Sequence, residues 1–308
     1  MGSPSVATRP RTLTNLELRK KVARLAASDF AFACISSGRN YLSTLDMRLQ
    51  NPETVRQGNA PLCGPAAFMY CVAKSFPRVY ERYALELALE GNSRIGQLLV
   101  TPSSACRNAT DSIGLGGISI PALDWVTLAG LRDSTNAWFR MRNPGSNMSG
   151  ITFPGAMMDW FQGSGLFTNC EDHSSLVTNP SLNNLLNANQ KFLKDHYVCL
   201  FIRAAILTRV GGELAINKFD KGTPKTIAPT PDHWIVQRTK MDLDNCTAPF
   251  SENVHPSDPM DCRLDFSVAS WGAPQGIPIN DRIHNLTPTH FLRYYYGFIS
   301  AFPERQQQ

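Results

Sequence analysis

Residues Arg56–Phe68 read RQGNAPLCGPAAF. Pro65 suits the first turn of a helix, and Ala66–Lys74 are good helix formers, so a helix is expected to open near Cys63. A helix start favours a thiolate through its dipole and its free N–H groups, and the thiolate is the nucleophilic form of cysteine. The same helix start brings the Cys63 backbone N–H, which can face a developing oxyanion. Gln57 stands six residues upstream, on the incoming loop, where its side-chain amide would be a second donor. A cysteine at a helix start is, on its own, a small core residue. The pattern acquires chemical meaning from two stretches downstream.

The first is Pro231–Arg238, PDHWIVQR, in which His233 leads directly into a strand. A histidine at that edge can reach across to a thiolate on a facing helix. The second is Leu264–Gly272, LDFSVASWG, a strand ending in Ser270-Trp271-Gly272.

Around these stretches the periodicity predicts a helix over residues 15–33, with Leu16, Leu18, Val22, Leu25 and Phe30 on one face. Further helices are expected over Arg78–Glu90, with Gly91 as its C-terminal cap, over Asp124–Arg132 and over Leu182–Asp195. Asn143–Gly150 reads as loop. His196–Leu207, Trp234–Thr239, Leu264–Trp271 and Tyr294–Ala301 are rich in strand formers. Helices first and strands second argue for an α+β domain rather than a doubly wound sheet. The organisation read from this is a flexible arm over residues 1–14, one catalytic domain over 15–303 and a polar tail over 304–308.

Gln57-Gly58, a cysteine six residues after the glutamine, a histidine opening a strand and Ser-Trp-Gly closing a later one together resemble the papain-like cysteine peptidase superfamily. The order along the chain is also that family's order. Cys63-Gly-Pro-Ala-Ala is similar to bacterial members such as the bacteriocin-processing peptidases, and Ile120–Trp125 with Leu131–Ser134 looks like bacterial papain-like toxins delivered between cells. The resemblance implies a papain-like fold: N-terminal helices, with the catalytic cysteine at a helix start, packed on a C-terminal antiparallel sheet. It makes Cys63 the nucleophile, His233 the general base, Gln57 the oxyanion donor, and Trp271 the shield of the hydrogen bond that orients the histidine. The family's orienting Asn or Asp would fall at Ala269, so this chain departs from the pattern there. Ser270, a backbone carbonyl or a water is left to orient the imidazole. Ser270 sits next to Ala269 in a strand and is expected to point to the opposite face, which favours a Cys63–His233 dyad.

The resemblance further implies amide-bond cleavage in a protein substrate by an interbacterial toxin or effector, with an inhibitory immunity protein as partner. A peptidoglycan amidase and a non-catalytic binding module on a papain scaffold are the alternatives, the last supported by Ala269.

Composition agrees with an enzyme and narrows little else. The 308 residues are 43% hydrophobic and 18% charged, enough to build a core without staples. A net charge of +5 falls short of a nucleic-acid-binding signature. The most apolar run, Tyr197–Leu207, is half a membrane span in length and contains Arg203, so no membrane partner is expected. No secretory signal is read at the N-terminus, which points to synthesis in a cytoplasm and delivery by a specialised secretion system. The eight cysteines form no Cys-x-x-Cys pair, and the histidines show no ligand spacing, so neither a metal nor another cofactor is expected. Cys246 and Cys262 are the one pair placed to bridge a polar insertion, which a reducing cytoplasm disfavours. Gly114, Gly116 and Gly117 make no phosphate loop. Asn108, Asn147, Asn245 and Asn285 open chance Asn-x-Ser/Thr triplets.

Overall fold

The computed structural model describes residues 12–58, 60–110, 120–135, 151–177, 180–207, 209–210, 213–214, 231–244, 263–271 and 282–304. Residues 1–11 of the arm, Gly114–Gly117, Asn143–Gly150, Cys246, Cys262 and residues 305–308 of the tail lie outside the described residues.

In chain order the helices α1 (Asn15–Arg24), α2 (Gly38–Gln50), α3 (Cys63–Ser75) and α4 (Pro77–Glu90) come first. They are followed by a hairpin of β1 (Ser93–Ile95) and β2 (Leu98–Val100), then α5 (Ser104–Arg107). A helical run comprises α6 (Ala122–Asp124), a π turn over Trp125–Ala129, and α7 (Gly130–Thr135). Then come α8 (Pro154–Ser164), β3 (Phe167–Asp172), α9 (Leu182–Leu193) and β4 (Tyr197–Ile202). The remaining strands are β5 (Arg209–Val210), β6 (Glu213–Leu214), β7 (His233–Gln237), β8 (Asp242–Asp244), β9 (Arg263–Ala269), β10 (Arg282–Leu286) and β11 (Tyr295–Pro303).

The main sheet is antiparallel, in the order β10-β9-β7-β4-β11-β3, with β8 also paired to β9. Alternation along the strands gives it two apolar faces. Cys199, Phe201, Trp234, Val236, Ala269 and Trp271 pack into the cluster built by the helices up to α8. Val198, Leu200, Ile202, Ile235 and Val268 pack the other way, with Leu182, Leu185 and Ala188 of α9. The fold is therefore α+β, as the sequence predicts.

Helix α3 lies at the centre. Eleven of its thirteen residues are buried, which marks a core helix apolar on all sides rather than an amphipathic surface helix. Two other helices have well-formed caps, of which only Gly91 is expected from the sequence. Thr14 and Glu17 form a capping box on α1, and Gly91 ends α4 at φ 73°, a left-handed position that favours glycine.

Three expectations are corrected. The helix expected over 15–33 stops at Arg24, because Leu25 is extended. Helices α2 and α8 form where none is expected. The arm expected over 1–14 is already anchored by Leu13, which packs on the core and accepts a hydrogen bond from Arg82 at 2.9 Å. Among the described residues no helix is long and apolar enough to cross a membrane.

Candidate active site

Cys63 is the first residue of α3, and the first N–H groups of a helix have no intrahelical partner. The helix start can pack closely on Thr152 because residue 64 is glycine. A Cβ there would sit 2.4 Å from the Cβ and Oγ1 of Thr152. Thr152 in turn accepts a hydrogen bond on its carbonyl from the Trp234 indole at 2.8 Å, which ties the residues before α8 to β7. The Cys63 sulfur lies within hydrogen-bond reach of the Trp234 and Gly64 backbone N–H groups. The thiol is thus held against the backbone of Trp234, the residue that follows His233 in the chain.

His233 opens β7, as expected, and is buried. Its Nε2 lies 2.9 Å from Ser270 Oγ. This corrects the expectation that Ser270 points away. The strand alternation is right, but the face is not. Val236 pairs with Ala269 in the register between β7 and β9, so Ala269 shares the face of Trp234 and Val236 and packs among the helices. Continuing that register places Ser270 opposite Ile235, on the face His233 shares. The residue aligned with the family's Asn thus points away from the histidine, and its neighbour supplies the polar group.

Gln57 is 8% exposed, and its backbone N–H donates to the Trp271 carbonyl at 2.7 Å. Its side-chain Oε1 is buried without a hydrogen-bond partner. Such a group costs about 1–3 kcal/mol, and its retention in a native structure calls for an explanation. Trp271 is fully buried. Its indole donates to the Trp234 carbonyl at 3.1 Å, and its ring meets Tyr70 of α3 at 5.3 Å between centroids. None of its hydrogen bonds or ring contacts is with His233, so Trp271 clamps α3 to β7 and β9.

The structure does not join the Cys63 thiol to the His233 ring by a hydrogen bond. The electrostatics agree with that. Burial pushes the Cys63 thiol up, outweighing the Trp234 and Gly64 N–H groups and the Arg132 charge that pull it down. Burial alone pulls His233 down to about 4. The helix start was expected to favour a resting thiolate; in this closed site both groups are neutral, because desolvation disfavours each charged form.

Two charged residues near the sulfur escaped the sequence reading. Arg132 of α7 is buried, with its guanidinium on the Pro61 and Ile151 carbonyls and the Thr152 hydroxyl. Asp232, immediately before β7, accepts the Ala204 N–H at 2.6 Å and acts on Cys63 in the opposite sense to Arg132. Arg132 lies in the Leu131–Ser134 stretch that resembles bacterial papain-like toxins, but nothing local in that stretch assigns the arginine a role.

The other cysteines described, Cys34, Cys71, Cys106, Cys170 and Cys199, are free thiols. Burial raises Cys34 to about 12 and Cys170 to about 11. Among the described residues no group of three or more His, Cys, Asp or Glu is placed to hold a metal ion. Two clefts, of about 850 and 670 Å³, run along α1 and α4, and neither is lined by Cys63, His233, Gln57 or Ser270. Their charged, open walls make them surface grooves.

No family model, no curated protein and no solved structure matches the chain.

Proposed function

We propose that the chain is a papain-like cysteine hydrolase that cleaves amide bonds in a protein substrate. The observation that carries this reading is the junction of α3 and β7. A cysteine at a helix start lies against the backbone of Trp234, the residue that follows a buried histidine whose Nε2 is engaged by Ser270. With Nε2–H donated to Ser270, Nδ1 is left to take the thiol proton. Because both groups rest neutral, His233 acts as a general base during attack rather than as half of a standing ion pair.

The sulfur attacks the carbonyl carbon as its proton passes to Nδ1. The Cys63 N–H and the Gln57 side-chain NH2 hold the oxyanion; the buried Gln57 Oε1 is an acceptor and takes no part in that. The imidazolium then protonates the leaving amine, and water, deprotonated by His233, hydrolyses the thioester. The resemblance to interbacterial toxins extends the proposal to an effector restrained by an inhibitor protein in the producing cell.

The test compares cells expressing the native chain with cells expressing Cys63→Ala. New protein termini are expected only with the native chain, and identical sets of termini would refute the reading. The missing thiol–imidazole hydrogen bond favours one other reading, a binding module on the same scaffold, and that identical result would support it.

A further inference from the structure

Helix α7 brings a charge to the site that the reaction as written does not use. Arg132 is 3% exposed. One terminal nitrogen donates to the Pro61 carbonyl, two residues before the nucleophile, and lies 3.4 Å from Thr152 Oγ1; the other donates to the Ile151 carbonyl at 3.3 Å. Thr152 is the side chain against which the Gly64 backbone closes. The guanidinium therefore grips both walls of the slot that holds the start of α3: the loop entering it and the residues facing it.

Resting on the hydrolase reading, we infer that Arg132 is a positioning residue for Cys63. Its fork fixes the Pro61 carbonyl and Thr152, and it keeps a permanent positive charge beside the sulfur that stabilises the thiolate formed during attack. An arginine suits this place because its planar fork spans several acceptors and its charge persists when buried. Besides burial, the groups that set the ionisation of the Cys63 sulfur are the Trp234 and Gly64 N–H groups, Arg132 from α7 and Asp232 just before β7. Arg132 favours the thiolate, Asp232 opposes it, and His233 rests neutral. The arginine is thus the charge that works against burial.

The test is the pH dependence of Cys63 alkylation by iodoacetamide, followed on the peptide carrying Cys63, in the native chain and three variants. Removal of an opposite charge at short range shifts an ionisation by about one to three pH units. Arg132→Gln should therefore move the midpoint up and slow alkylation on its acid side about tenfold or more. Arg132→Lys keeps the charge and should stay within about threefold of native. Thr152→Asp leaves the arginine in place but sets a carboxylate against it. It should move the midpoint upward as Gln does, and it serves where Arg132→Gln does not fold. An unmoved midpoint in a folded Arg132→Gln or in Thr152→Asp overturns the inference, and so does Lys behaving like Gln. The hydrolase reading fails separately, when cells expressing the native chain and cells expressing Cys63→Ala give identical sets of protein termini.

Discussion

Two buried arginines of this molecule meet different partners. Arg48 of α2 faces Asp124, with Nε to Oδ1 at 3.1 Å and NH2 to Oδ2 at 2.6 Å, a two-pronged pair in which both side chains are nearly inaccessible. It also donates to Thr54 at 2.8 Å, while Asp124 accepts the Arg56 N–H. This pair ties α2, α6 and the loop leading to Gln57 into one unit. Arg132 instead donates to main-chain carbonyls and lies near a hydroxyl, and its charge reaches a cysteine sulfur electrostatically. A guanidinium matched to a carboxylate is largely spent on holding the fold. One set beside a weakly acidic thiol keeps a field that acts on whatever charge forms there.

The largest break in this comparison should come from Asp124→Ala. It strands the Arg48 charge in the interior and should cost about 3–5 kcal/mol in urea unfolding, while leaving the Cys63 alkylation midpoint in place. A small loss, or a shifted midpoint, would erase the distinction between the two arginines.

The second effect is pH-dependent and concerns the neutral site that Arg132 adjoins. His233 titrates at about 4 in the folded chain against an ordinary 6.5. Between those values the unfolded chain binds the extra proton. The stability this group contributes is therefore complete above pH 6.5 and is lost as pH falls through 4, by about 3 kcal/mol. His233→Gln should flatten the fall in unfolding free energy over that window. An equal slope in both proteins would show that the ring is solvated.

Third, Ala269→Asn should not restore a family-like site. It sets an amide among Trp234, Val236 and the helical core, and should cost about 1–3 kcal/mol with no gain in activity. A rise in activity at undiminished stability would show the register is wrong. The smallest effect belongs to Ser270→Ala, which loosens the imidazole and should lower kcat/KM about tenfold with little change in unfolding. An unchanged kcat/KM would return the site to a dyad.

How much of this is legible before folding depends on what each residue is asked to do. The start of α3 is readable because Pro65 and an alanine-rich run act locally. The α+β class is readable because β4, β7 and β11 carry apolar runs and β9 alternates apolar with polar residues. Helix α2 is hidden because one of its buried positions is Arg48, which breaks the apolar period. Helix α8 is hidden by Gly155 and Gly163, although Pro154 at its start and Gly165 at its end are ordinary punctuation. The partner of His233 is misjudged because alternation gives two faces, and only the register between distant strands says which one the histidine shares. Arg132 is invisible because nothing local distinguishes a charge that tertiary packing will bury.

The strand order has a consequence for when the molecule becomes competent. Strand β11, built from residues 295–303, lies inside the sheet between β4 and β3, not at its rim. Strand β4 in turn borders β7, on which the start of α3 rests. Pairings between segments so distant in sequence close large loops and form late. A chain still being synthesised would hold its cysteine helix without the sheet that presents His233. The α3–β7 junction therefore takes its final setting only after residues near 300 have emerged.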